Sequence, residues 1–140
     1  VDDVDQQLIA LLRDDGRASI ASLAKRLRVA RGTVQNRLAK LEAAGTIVGY
    51  TVRLRPQAEA HRIRGIMTVE VEGRRQDAVV RALRGDPAVV ALHTTNGRWD
   101  LVVEVRADSL QEFDRVLVRI GQLDGISRSE TNLLLTTHKL

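Results

Sequence analysis

Apolar positions fall at helical spacing up to about residue 45 and at strand spacing beyond it. Val4, Leu8, Leu11 and Leu12 recur at i, i+4, i+7 and i+8, which predicts a helix over residues 3–15 that Gly16 ends. Ile20, Leu23, Ala24 and Leu27 repeat the template from a Ser19 start, and Val34, Leu38 and Leu41 repeat it again until Gly45. Residues 28–30 are all that joins the second and third helices, so the chain must turn a sharp helix-turn-helix corner there.

After Gly45, Ile47, Val48, Tyr50, Val52 and Leu54 read as a strand that leads into Pro56 and the polar stretch QAEAHR, a linker. Residues 65–72 alternate, with Met67, Val69 and Val71 against Thr68, Glu70 and Glu72. A short helix over 76–84 turns Val79, Ala82 and Leu83 inward and is closed by Gly85, Asp86 and Pro87. Strands are expected at 89–95 and 99–105, and a last one at 130–137. The helix over 109–120 is marked by the capping box SLQE, Ser109 and Glu112 each satisfying a first-turn amide, with Leu110, Phe113, Leu117 and Ile120 on one face.

The fold class is therefore α+β. An N-terminal helix-turn-helix, winged-helix-like domain (1–48) and a strand linker (49–63) precede a ferredoxin-like βαββαβ domain (64–140) with an antiparallel sheet. Val102 faces away from Leu101, Val103 and Val105, and Leu133, Leu134 and Leu135 are apolar on both faces. A sheet apolar on two sides buries both, so the face without helices is expected to be covered by a second copy of the chain.

Composition narrows the chemistry. Tyr50, Trp99 and Phe113 are the only aromatic residues, too few for base-stacking platforms, which argues against single-stranded nucleic acid. There is no cysteine, the N-terminus is acidic where a secretory signal is basic, and no apolar run is long enough to cross a bilayer, so a cytoplasmic location with no membrane partner is expected. The formal charge of +4 is unevenly spread: residues 17–55 hold nine basic side chains against one acid, Glu42, while residues 61–140 hold twelve against eleven. That is the footprint of a polyanion-binding module.

The third helix, ARGTVQNRLAKLEAAG, is where such a module would read sequence. With Val34, Leu38 and Leu41 turned inward, Arg31, Thr33, Gln35, Asn36, Arg37 and Lys40 point elsewhere. Gln and Asn pair bidentately with adenine and Arg with guanine, while Thr bonds bases or phosphate. No acid interrupts this face before Glu42. The same residues could also form a plain solvated face, or dock an acidic protein.

The stretch DGRASIASLAKRLRVARGTVQNRLAKLEAAGTIVGYTVRLRP resembles the DNA-binding half of the Lrp/AsnC family of transcriptional regulators, and the likeness runs over nearly the whole chain. The resemblance implies binding to double-stranded DNA through the third helix, and dimers that assemble further, often into octamers. It also implies a response to an amino acid or related small metabolite at contacts between dimers. The family motif Gly-Asp-Tyr/Phe-Asp stands here as Gly97, Arg98, Trp99 and Asp100, with Arg98 reversing the usual acidic charge. Ser129 and Thr131 align with positions that touch effector, and Ala30 stands where the family often has a capping serine.

Taken alone, Asn96 and Gly97 read as a tight hairpin whose backbone dihedrals are positive. Asp100 and Arg98 still suit the ammonium and carboxylate of an amino acid. His61, His93 and His138 are scattered and no pair has metal-ligand spacing; with no Gly-rich phosphate loop, nucleophile elbow or thiol, no catalytic residue, metal or cofactor is expected. The competing reading is a ferredoxin-like metabolic sensor or enzyme subunit whose basic helices dock an acidic protein.

Overall fold

The computed structural model describes residues 1–55, 58 and 62–139. It divides into two compact units, Val1–Arg53 and Leu54–Leu140. The first unit holds three helices, α1 (Asp3–Asp14), α2 (Ile20–Leu27) and α3 (Arg31–Ala43). Their apolar stripes meet in one core of Leu8, Leu23, Ala24, Val34 and Leu41, with Leu11, Leu12, Ile20, Leu27 and Leu38 packed around it. Asp2 and Asp5 form a reciprocal capping box at the start of α1.

In the second unit the elements are β1 (Ile63–Val71), α4 (Gln76–Arg84), β2 (Val89–Thr94), β3 (Leu101–Ala107), α5 (Leu110–Gly121) and β4 (Ile126–Leu133). The sheet order is β2-β3-β1-β4 and every pairing is antiparallel, the ferredoxin-like arrangement. Both helices pack on one sheet face: Val79 and Leu83 of α4 and Phe113, Val116 and Ile120 of α5 meet Met67, Val69, Leu101, Val103 and Val105. Gly65 in β1 leaves room for the Phe113 ring, since a Cβ there would lie 2.6 Å from Phe113 Cζ.

Several expectations are corrected. The last strand spans residues 126–133 rather than 130–137, and the third begins at Leu101 rather than Trp99. Residues 47–55 form no ladder, because a strand needs a pairing edge and none is offered to this segment within the described chain. Ala82 and Leu110 are exposed, since Leu83 and Phe113 take the inward positions beside them. Glu112 accepts from the Asp108 amide (3.4 Å) rather than from that of Ser109, so only the Ser109 half of the capping box forms as expected.

The largest correction concerns the uncovered sheet face. Register puts Arg64, Thr68 and Glu70 of β1, Glu104 and Arg106 of β3, and Arg128, Glu130 and Asn132 of β4 on it, with Ile66, Val102 and Ala91 the apolar members. Leu133 lies on the helix side, opposite Gly65, and Leu134 and Leu135 follow the strand. This face is mostly polar, so the argument from two apolar faces does not by itself call for a second copy.

Candidate functional site

The α2–α3 corner is built from three residues. Ser19 starts α2 by accepting from the Ser22 amide at 3.1 Å, and Arg28 ends it in the left-handed region (φ 57°). The Val29 amide then closes onto the Ala24 carbonyl at 3.1 Å. A non-glycine residue in that conformation carries roughly 1–2 kcal/mol of backbone strain. The expected corner did not reveal this strain, because glycine is the usual sequence signal for a positive dihedral.

From that corner α3 emerges without a side-chain cap: Ala30 has no oxygen to offer, and the Thr33 amide turns to the Ala30 carbonyl (3.0 Å). Arg31, Gln35, Asn36 and Lys40 are exposed, and Thr33 is half-buried. Arg37 is different. Its Nη1 donates to both Asp2 oxygens (2.7 and 2.6 Å) and to Asp5 Oδ1 (3.2 Å), strapping α3 to the start of α1. The Arg37 bond, with the Asp5 amide behind it, holds the Asp2 carboxyl at about 2, well below its usual value. The helix thus presents five of the six expected residues, while Arg37 serves as a strut. Residues 17–55 look uniformly basic along the chain, but α1 brings two carboxylates against them in space. Tyr50 Oη donates to Glu42 Oε1 (2.8 Å), occupying the one acid of the segment.

The second candidate region is the loop of residues 95–100 between β2 and β3. It is not the two-residue turn its Asn-Gly pair suggests, because neither Asn96 nor Gly97 has a positive φ. Thr95 organises it instead: the Gly97 amide donates to Thr95 Oγ1 (3.0 Å), Thr95 Oγ1 donates to the Trp99 carbonyl (3.1 Å), and the Thr95 amide bonds the Asp100 carbonyl (3.0 Å). A hydroxyl bridging its own loop replaces the positive dihedrals. Arg98 lies over the Trp99 ring, 5.2 Å from its centroid, a cation–π contact. Trp99 is half-buried and outside the core. Asp100 has structural work, since its Oδ2 accepts from the Val71 amide (2.8 Å) and its own amide bonds the Val69 carbonyl (2.9 Å).

Ser129 and Thr131 lie in β4 on the helix side of the sheet, paired with Val69 and Met67. Val69 is also the partner of Leu101, so two strand spacings, about 10 Å, separate Ser129 from the strand that follows the loop. Thr131 is farther along and lines an apolar groove of about 610 Å³ with Leu110, Phe113, Leu117 and Leu133. Neither hydroxyl bonds a loop residue, so one copy of the chain leaves these candidates apart. His93 lies on the uncovered sheet face and His138 after β4, while His61 and Pro56, with most of the QAEAHR stretch, fall outside the described residues. Among the described residues no group of three His, Asp or Glu could hold a metal ion, and no helix is long and apolar enough to cross a membrane.

Residues 1–42 match the model of the AsnC-type helix-turn-helix domain, and residues 64–140 that of the Lrp/AsnC ligand binding domain. An uncharacterized HTH-type transcriptional regulator of Pyrococcus furiosus is 30% identical over 135 residues, covering 96% of this chain and 91% of that one. The leucine response regulatory protein of Mycobacterium tuberculosis is 27% identical in sequence and superposes with a TM-score of 0.83, over 100% of this chain and 96% of its own. A transcriptional regulator of Neisseria meningitidis, solved as a complex with L-methionine, shares the fold at a TM-score of 0.84 and 20% identity, over 100% and 93% of the two chains.

Proposed function

The chain belongs to the Lrp/AsnC family, a family of DNA-binding transcriptional regulators and not of enzymes, and on that premise we propose that it reads double-stranded DNA by laying α3 in the major groove. The observation that carries this reading is the outer face of α3. Arg31, Gln35, Asn36 and Lys40 are exposed together, and the free amides of an uncapped helix start lie beside them. Gln35 and Asn36 suit base edges, while Arg31, Thr33 and Lys40 suit phosphates or the groove edge. Arg37 contributes by holding the angle between α3 and α1. A DNA target accords with the cytoplasmic location expected from the sequence.

The test is Asn36→Ala on the full chain. Affinity for operator fragments selected from genomic DNA should fall by about 1–3 kcal/mol while affinity for random DNA barely changes. Equal losses on both would reassign Asn36 to the backbone, and no binding to any genomic fragment at low salt would remove the DNA reading altogether.

For the second unit the proposal is a small-metabolite effector, an amino acid or a relative of one, held by Asn96, Gly97, Arg98, Trp99 and Asp100 with Ser129 and Thr131. Support comes from the ligand-binding family model and from the Neisseria protein's L-methionine complex. Because these residues stay apart in one copy, the site would be completed where dimers meet in a higher assembly such as an octamer. The alternating side chains Val48, Tyr50, Val52 and Leu54 supply apolar surface for assembly, Val48 being 95% exposed. An effector at such a contact regulates only by binding one assembly better than another. Trp99 is the only tryptophan, so its fluorescence reports on the loop. An amino-acid panel that leaves it unchanged in both the parent and Arg98→Asp would exclude the loop as the site.

A further inference from the structure

We infer that Asp2 and Asp5 determine how well α3 tells its operator from other DNA, although both stand at the start of α1 and neither belongs to the face that meets bases. This rests on the reading of α3 as the helix that enters the groove. Arg37 of α3 donates through Nη1 to both Asp2 oxygens and to Asp5 Oδ1, which lie 35 and 32 positions back along the chain. Among the described residues these are the only side-chain hydrogen bonds between α3 and another helix, since Glu42 bonds Tyr50 beyond the helix end.

These bonds supply what the apolar core lacks. Val34 and Leu41 are the buried residues of α3, with Leu38 partly buried beside them. Apolar contacts are non-directional, so they hold α3 against its neighbours without fixing its rotation about its own axis. The start of α3 adds no side-chain restraint, because Ala30 carries no capping oxygen. A charge-assisted bond to two carboxylates, halfway along the helix, is directional and does fix the rotation. The far end is held as well: the Asp5 amide donates to Asp2 Oδ1 (2.9 Å) and the Asp2 amide to Asp5 Oδ2 (3.2 Å), so the first turn of α1 sets both carboxylates in place. Asn36 and Lys40, both exposed, lie one and three positions from Arg37. Turning the helix by about 10° moves a side-chain tip, about 5–6 Å from the axis, by about 1 Å. That takes a hydrogen bond to a base edge out of its range of about 2.7–3.2 Å. Attraction to the phosphates acts over a longer range and changes little.

Titrations of the full chain with operator fragments selected from genomic DNA and with random DNA, over a series of salt concentrations and below the melting temperature, test this. The paired variant Asp2→Asn with Asp5→Asn keeps oxygens to cap α1 and removes the charges that hold Arg37. Deleting two acids ordinarily raises affinity for any DNA, since it lifts repulsion of the phosphates. Here operator affinity falls by about tenfold, the discrimination given by one bidentate base contact, while affinity for random DNA holds or rises. Arg37→Gln lowers operator affinity likewise and leaves the slope of log affinity on log salt unchanged, because no phosphate contact is lost. Combining all three substitutions is no worse than the paired variant. Should the paired variant fail to fold, Asp2→Asn alone, where the side chain is 56% exposed, lowers the operator-to-random ratio in the same direction. The inference is overturned if the paired variant binds operator as tightly as the parent or tighter, if the losses on the two DNAs are equal, or if Arg37→Gln lowers the salt slope by about 1, which puts Arg37 on a phosphate. A parent that binds no DNA is a different result, removing the reading of α3 and this inference with it.

Discussion

Substituting Ala30 by serine should stabilise the DNA-binding unit through a cap that the backbone is already shaped to accept. Ala30 has φ −68° and ψ 152°, within two degrees of Ser19 at φ −70° and ψ 154°. At Ser19 the hydroxyl accepts the Ser22 amide, three residues on, at 3.1 Å. A serine at position 30 would meet the Thr33 amide with the same geometry. Such a cap contributes about 0.5–2 kcal/mol. Here the lower half of that range applies, because the Thr33 amide already has a partner in the Ala30 carbonyl at 3.0 Å. The position is exposed, so the new hydroxyl loses little hydration. For a unit of this size a gain of about 0.5–1 kcal/mol raises the melting temperature by roughly 2–8 °C. Far-UV circular dichroism of the full chain, at matched protein concentration so that assembly does not contribute, would measure it. The Arg31 and Gly32 amides stay free for a phosphate, so DNA affinity should change by less than about threefold, well under the 1.4 kcal/mol of a tenfold effect. An unchanged or lowered melting temperature would refute the claim that this helix start lacks a cap.

Further outcomes follow from the same geometry. Asp2 has a folded-state pKa of about 2 against an ordinary 3.8, so its ion pair with Arg37 contributes stability above about pH 3.8 that is lost as pH falls toward 2. Asp2→Asn should be less stable than the parent at pH 5, with the two melting temperatures converging near pH 2; a constant gap would show that the charge is not what matters. Gly65→Ala places a Cβ 2.6 Å from Phe113 Cζ and 3.1 Å from the Asn132 carbonyl, which should cost about 1–3 kcal/mol in a urea titration. Phe113→Leu in the same chain should recover part of that loss, and strictly additive effects would count against the contact. Asp100→Ala strips the Val71 amide of its partner and should cost about 1–3 kcal/mol, while Asp100→Asn keeps a carbonyl acceptor and should cost less. Equal losses would mean that charge, not the hydrogen bond, holds the end of β1.

Much of this was legible along the chain. Helical spacing identified α1, α2 and α3 and their inward faces, because a stripe every three to four residues is a property of neighbours in sequence. The βαββαβ order was legible for the same reason, and it led to the observed strand order because few connections between such elements are sterically open. Strand ends were less so: Leu134 and Leu135 look like a continuation of β4, yet β4 ends at Leu133 and a single further bond, from the Leu134 amide to the Arg64 carbonyl, ties the chain to β1.

The roles of individual polar side chains depended on partners far away in sequence. Arg37 reads like any other residue of a recognition helix until Asp2 and Asp5, more than thirty positions earlier, reach it through the packing of α1 on α3. Asn96-Gly97 reads as a tight turn until the Thr95 hydroxyl claims the Gly97 amide. The uncovered sheet face could be judged only once register had set Arg64 beside Arg106 and Glu70 beside Arg128. Sequence by itself therefore determined which segments are helix, the βαββαβ order that follows them and the family they belong to, since hydrophobic period and local charge act over a few neighbouring residues. Tertiary structure alone decided which charges remain free to bind, because an ion pair or a capped amide is made by whichever group folding brings within about 3 Å.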